Sequence, residues 1–303
     1  MQFHRPTGVL RARISDFHVS ELLDCNFTDE GEHLFLEIEK SNLNTREVQD
    51  FLCKHYQVPR IDVSYSGLKD KRAIAQQWFS VRLPKTSQPP SHPCFKILRE
   101  RRHSRKLRIG SHRGNQFTIV VRQLSDDNPS LIEGILRNPV PNYFGPQRFG
   151  RNFKNVDRAL NWTERPRSRI DRTIRYRHVT TLRSFLFNEV LAKRVRSGTW
   201  NCELSGDVLS HGLPTGPLWG RGRLPTTEDA AKIEESVGIE HQQVCEALEW
   251  VGLRQERRSL SVQPSNAEVL VSNETLTLRF TLPRGCFATA VVNECVDVTE
   301  NAQ

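Results

Sequence analysis

The sequence predicts an α+β or split βαβ arrangement of strands and helices, interrupted by an inserted domain. Three observations carry that expectation. Residues 8–40 alternate apolar and polar in strand fashion, and "NLNTREVQDFLCKHYQV" after them has helical spacing. The final stretch, "EVLVSNETLTLRFTLPRGCFATAVVNECVDV", returns to strand alternation after a change of composition over residues 152–258. The expected organisation is a first part, 1–151, an insertion, 152–258, and a last part, 259–303, that rejoins the first.

In order along the chain, "DFHVSELL" and "EHLFLEIEK" read as strands separated by the turn-like "TDEGE". The following helix carries Val48, Phe51 and Leu52 on one side, with Asn44 and Glu47 spaced as a capping box. "IDVSYSG" and "QWFSVRLP" read as strands around the polar "GLKDKRA", and "SQPPSHP" is a loop by its prolines. "FKILRE" and "QFTIVVRQL" are the next strands, and "PVPNYFGPQRFGR" is a Pro/Gly-punctuated turn that closes the first part. Within the insertion, "LRSFLFNEVLAKRVRSG" predicts an amphipathic helix with Leu182, Phe185, Leu186, Val190, Leu191 and Val195 on one side and Gly198 as its stop. "GLPTGPLWGRGRLP" reads as a loop, and two further helices are expected between Thr227 and Leu253.

Composition narrows the function classes. At 303 residues the chain is long enough for a sizeable core, and its mean hydropathy of -0.55 is that of a water-soluble protein. No run approaches the roughly 20 apolar residues of a spanning helix, and the N-terminus lacks the apolar segment of a signal peptide. A cytosolic, monomeric protein without membrane association is the expectation. Seven cysteines without a CxxC pair, and ten histidines without ligand spacing, point to idle thiols and no metal.

Lys and Arg outnumber Asp and Glu by 44 to 35, giving a net charge of +9. Two arginine-rich runs stand out, residues 99–113 and 163–177. Such a run reads either as a solvated charged face or as a phosphate-contacting surface; its density favours the second, with the two runs lining a cleft for a polyanion.

Within "GLKDKRAIAQQW" one carboxylate, Asp70, stands between Lys69 and Lys71. Taken locally, it is a turn residue or solvated charge. The functional alternative is a carboxylate that acts on a polyanion, since flanking lysines favour its charged form and attract phosphates. No second carboxylate is placed beside it as an acid/base pair, which suggests a nucleophile.

"GLKDKRAIAQQWFSV", "KLRIGSHRGNQFTIVV", "VPNYFGPQRFG" and "LPRGCFATAVVNE", in this order and together with "RISDFHVSE" and "NLNTREV", closely resemble the signature blocks of the TruD-type tRNA pseudouridine synthases. The resemblance implies a cofactor-free isomerase that converts a uridine of tRNA, in this family usually uridine-13 of the D arm, to pseudouridine. It implies a mixed-sheet pseudouridine synthase catalytic domain with an inserted family-specific α/β domain. Block by block, the nucleophile matches Asp70, and the uridine contacts match Phe17, Asn115 and Phe287. Arg11, Lys69, Lys71, Arg101, Arg102, Arg105 and Lys106 are the expected RNA-binding cations.

Without the resemblance, Phe17 and Phe287 read as core residues, Asn115 as a turn residue, and Tyr143, Phe144 and Phe149 as structural. Two positions depart from the family pattern: Arg11 stands where lysine is common and Arg72 where histidine is frequent, and the insertion is short. A non-catalytic RNA-binding protein and a base-releasing hydrolase are the competing classes.

Overall fold

The computed structural model describes residues 5–83, 88–125, 129–166 and 169–300. Ser87 of the proline loop, and residues 167–168 of the second arginine run, lie outside the described residues. The chain forms two compact units, one of residues 1–137, 264–285 and 295–303, the other of residues 138–263 and 286–294.

The first unit opens with β1 (Thr7–Leu10), β2 (Phe17–Leu22) and β3 (His33–Ser41), and continues into α1 (Thr45–Tyr56). The Asn44–Glu47 capping box forms, Asn44 N donating to Glu47 Oε2 at 2.5 Å. The helix stops on Gln57, whose left-handed backbone (φ 53°) lets its N–H reach the carbonyls of Cys53 and Lys54. Then come β4 (Val63–Tyr65), β5 (Ile74–Arg82), β6 (Phe95–His103), β7 (Gly114–Arg122) and α2 (Pro129–Leu136). β6 runs past the expected "FKILRE", so Arg101 and Arg102 are strand residues as well. Its partner β3 is equally long and pairs Phe35 with Arg101 and Leu34 with Arg102, while Glu37 and Glu39 across the ladder hold Arg99 and Lys96 in ion pairs of 2.5 and 2.9 Å.

The second unit holds β8 (Val140–Pro141), α3 (Lys154–Thr163), α4 (Arg172–Arg196), β9 (Leu209–Ser210), β10 (Leu213–Leu218), α5 (Glu228–Glu240), α6 (Gln242–Val251), β11 (Glu256–Ser259) and β12 (Ser261–Val262). Its main core is built on α4, where Val179, Leu182, Leu186 and Val190 meet Trp162 of α3, Val237 of α5 and Leu248 of α6. Two expectations need correction here. α4 begins well before Leu182, because Asp171 caps it by accepting from the Thr173 and Ile174 N–H groups, and it therefore absorbs part of the arginine run. It also buries a second side, Phe187 and Leu191 packing with Leu260. The proline-bearing segment expected as a loop contains β10, which pairs with both β9 and β11.

The chain returns to the first unit as β13 (Ser265–Ser272) and β14 (Thr275–Pro283) and ends with β15 (Asp297–Glu300); between them α7 (Ala288–Cys295) belongs to the second unit. The "ATAVV" run, expected as a strand, forms α7, its first turn closed by Ala290 N donating to the Phe287 carbonyl at 3.1 Å. The sheet order in the first unit is β13-β14-β7-β2-β5-β3-β6, with β1 added beside β7, β15 beside β1 and β4 beside β5. β2 with β5, and β1 with β15, run parallel and the rest antiparallel, which makes the sheet mixed. α1 seals one face through Val48, Leu52 and Tyr56 against Leu34, Leu36, Ile38, Phe79 and Val81.

Candidate active site

Asp70 lies in the loop between β4 and β5. Its neighbours in sequence do not hold its carboxylate. Lys69 is turned inward, 5% exposed, with its ammonium 2.5 Å from Glu21 of β2, and its N–H donates to Thr45 Oγ1 at the start of α1. Lys71 points to Glu47, 3.8 Å away. The cation beside Asp70 is Arg11, whose Nη2 is 2.7 Å from Asp70 Oδ2. Asp70 keeps 41% of its side chain exposed, so its carboxylate is paired yet reachable from solvent.

The loop is fastened from below as well. Lys40, at the end of β3, donates to the carbonyls of both Leu43 and Asp70 at 2.7 Å. Gln77 Nε2 donates to the Gly67 carbonyl at 3.2 Å while its Oε1 accepts from Thr45 at 2.9 Å. A Cβ on Gly67 would stand 3.0 Å from the His112 ring and 3.3 Å from the Lys69 ammonium, so the first residue of "GLKDK" has room for little else. His112 itself joins Ser66 at 2.7 Å, and burial, reinforced by Lys69, pushes its imidazole pKa down, favouring the neutral ring.

Phe17 and Asn115 share one face of the sheet. Phe17 pairs with Ile119 and Glu21 with Asn115 across β2 and β7, so the two side chains are four residues, about 13 Å, apart along the ladder. Phe17 is buried edge-on against Phe117, and the Arg11 guanidinium lies 4.4 Å from its ring centre. Arg11 thus bridges Phe17 and Asp70, from a left-handed backbone (φ 57°) that a long side chain rarely adopts. The turn leading to Phe17 is locked by Asp16, which accepts from Arg122 at 2.6 and 3.0 Å and from Arg13 N at 2.8 Å. Asn115 is buried, and its Oδ1 has no hydrogen-bond partner among the described residues. An amide acceptor left open in a mostly closed place is suited to a ligand's N–H.

Phe287 belongs to the second unit. Its ring packs on Phe144 at 5.5 Å, with the Arg148 guanidinium 5.8 Å from its centre. Phe144 is set by Asn188 of α4, which exchanges two hydrogen bonds with its backbone at 2.9 and 3.0 Å. Arg258 lies 4.3 Å over the Phe144 ring and donates to Asn142 Oδ1 at 2.6 Å. Burial depresses the pKa of both arginines. The expectation that Phe144 is structural leaves out this pairing of aromatic faces with desolvated guanidiniums.

The first arginine run divides sharply. Arg101 is paired with Asp29 at 2.5 Å and lies over Phe27, Arg102 donates to the Leu83 carbonyl, and Lys106 to that of Ile61. Arg105 and Arg108 are exposed, with no partner among the described residues. In the second run, Arg172, Arg175 and Arg177 stand in the first turns of α4. Lys69 in particular corrects an expectation, because its ammonium is spent on Glu21 inside the protein. Lys40 and Arg148 were not singled out from sequence; Arg148 sits inside the quoted "FGPQRFG", whereas Lys40 ends an ordinary strand and carries no local signal.

Among the described residues no helix is long and apolar enough to cross a membrane, and no group of three or more His, Cys, Asp or Glu is placed to hold a metal. Residues 2–161 match the family model described as tRNA pseudouridine synthase D (TruD). The chain is 38% identical to the tRNA pseudouridine synthase D of Pseudomonas entomophila (strain L48), over 98% of this chain and 93% of that one. The same protein of Ectopseudomonas mendocina (strain ymp) is also 38% identical, with the same coverage. Among solved structures, a Methanosarcina mazei protein with a TruD assignment superposes with a TM-score of 0.69 at 21% identity, covering 99% of this chain and 95% of that one, a likeness of fold.

Proposed function

The chain belongs to the tRNA pseudouridine synthase D family, and from that membership we propose that it isomerises a uridine of tRNA, uridine-13 of the D arm, to pseudouridine with Asp70 as the reacting carboxylate. The single observation that supports Asp70 most directly is its pairing with Arg11 over the Phe17 ring, 2.7 Å from a guanidinium and still open to solvent.

The reaction breaks the bond between uracil N1 and the ribose, turns the ring, and joins C5 to the same ribose carbon. C5 gives up its hydrogen to solvent and N1 takes up a proton, so reactant and product have the same composition. Nothing is oxidised or reduced and no external energy is required, which fits an enzyme working without cofactor or metal as a cytosolic monomer. An ionised carboxylate serves each available route, whether by attack on the ribose carbon, attack on the ring, or assistance to elimination.

A uridine stacked in folded tRNA cannot meet Asp70, so the nucleotide must be flipped out. In this reading the open Asn115 amide satisfies the uracil edge, and Phe17 on the same sheet face provides aromatic surface to retain the detached ring. Arg11 steadies the carboxylate between encounters with substrate.

The test is tRNA tritiated at uracil C5, incubated with the native protein and with Asp70→Asn, following label release and nucleoside products. The native protein is expected to release label and form pseudouridine, and Asp70→Asn to lose about 10³-fold or more of the rate with tRNA affinity retained. Free uracil instead of pseudouridine would make the chain a hydrolase, and tight binding without release a binding protein.

A further inference from the structure

We propose that Lys40 is a positioning residue for Asp70, a buried clamp that fixes the backbone from which the carboxylate is presented. The inference rests on the reading of Asp70 as the reacting group. Its basis is geometric. Lys40 is completely buried at the end of β3, and its ammonium donates to the Asp70 carbonyl and to the Leu43 carbonyl, each at 2.7 Å. The clamp acts on the reacting residue itself, and Leu43 ties that residue to the segment that starts α1.

A lysine is an expensive way to satisfy two carbonyls. Removing an ammonium from water costs several kcal/mol unless a carboxylate repays it, and an apolar side chain of similar length fills such a site without that penalty. Among the described residues both hydrogen bonds of Lys40 end on neutral oxygens, so the charge is not there to close an ion pair. What it achieves is a fixed Asp70 backbone, where a displacement of about 1 Å can cost on the order of 10²-fold in rate.

The electrostatic surroundings give the clamp a readout. The charged groups facing Lys40 are Asp70 and Glu47, which favour its ammonium, and Lys69, which opposes it; burial outweighs them and holds its pKa near about 8, against 10.5 for an ordinary lysine. Below that pH the clamp carries its charge. Above it the neutral amine is a weaker donor and no longer attracts the Asp70 carboxylate.

The experiment is single-turnover tritium release from pH 6.5 to 9.5 for the native protein, Asp70→Asn, Lys40→Met and Lys40→Arg, with tRNA affinity measured alongside. The native rate should fall above about pH 8. Lys40→Met should lower the rate at pH 7 by about 10- to 100-fold with affinity changed less than about threefold, and should lack the alkaline fall. Lys40→Arg, whose charge does not titrate in this range, should also lack it. Should Lys40→Met fail to fold, the native profile and Lys40→Arg decide: a native rate flat to pH 9.5, or a fall retained in Lys40→Arg, overturns the clamp. A Lys40→Met rate within twofold of native with the alkaline fall intact overturns it as well. Release that survives in Asp70→Asn overturns the reading of Asp70 and the clamp with it, whereas release lost there and unchanged in Lys40→Met removes the clamp alone.

Discussion

Asp70 stands between two lysines in sequence and owes its local field to other residues. Lys69 and Lys71 diverge from it because each has an acid of its own, Glu21 and Glu47, while Arg11 and Lys40 arrive from distant positions. The resemblance singles out the carboxylate, but adjacency in sequence misassigns its partners, since successive side chains of this irregular loop do not stay on one side. Arg11 is the partner with the most to do: it pairs with Asp70, covers Phe17 and accepts a left-handed backbone to reach both. Arg11→Met should therefore reduce the single-turnover rate by about tenfold or more while tRNA affinity changes much less, a split read by measuring both on the same preparation. Arg11→Lys should recover part of the rate, because a point charge restores attraction without the flat guanidinium that covers the ring.

The elements that carry these residues are held by buried polar pairs as much as by apolar packing. β2 supplies Phe17 and Glu21 on one face, and β7 supplies Asn115 directly opposite Glu21. Glu21 has no exposed side chain, accepts from Lys69 at 2.5 Å and from Trp78 N at 3.3 Å, and so fastens the Asp70 loop to the central strands. Removing one partner strands the other charge in the interior. Lys69→Met should lower stability by about 3–5 kcal/mol in urea denaturation, and adding Glu21→Leu should recover much of the loss. If the single change costs under about 1 kcal/mol, the pair does not hold the loop. α1 was legible down to its capping box because its signals are local. α4 was legible only in its apolar half, and α7 not at all, because β-branched residues followed by a strand pattern look the same in either state until their partners are known.

At the scale of the whole molecule, the net charge of +9 suits a polyanionic partner but does not by itself identify one or say which cations would meet it. Arg99, Arg101 and Arg113 each answer an acid of the same chain, at 2.5, 2.5 and 3.5 Å, so a run that reads as one basic surface is partly a set of ion pairs within the protein. Arg105 and Arg108 remain exposed without such partners among the described residues. Replacing both by Gln should weaken tRNA binding and flatten the slope of log affinity against log salt by about two units, one for each phosphate no longer neutralised. Arg101→Gln should change the slope by less than about one, and a change per removed charge equal to that of the double variant would show that the pairing does not matter. By itself the sequence determined the α+β class, the strands and helices with strong local periodicity, the family, and Asp70 as the residue to test, because these depend on patterns read over a few residues or on whole blocks in order. Only the tertiary structure decided that Arg11 pairs with the Asp70 carboxylate and Lys40 donates to its carbonyl, that Lys69 belongs to Glu21, and that Asn115 keeps an open acceptor. Those facts depend on which distant residues the sheet brings within hydrogen-bonding distance, and charge alone gives a side chain many eligible partners.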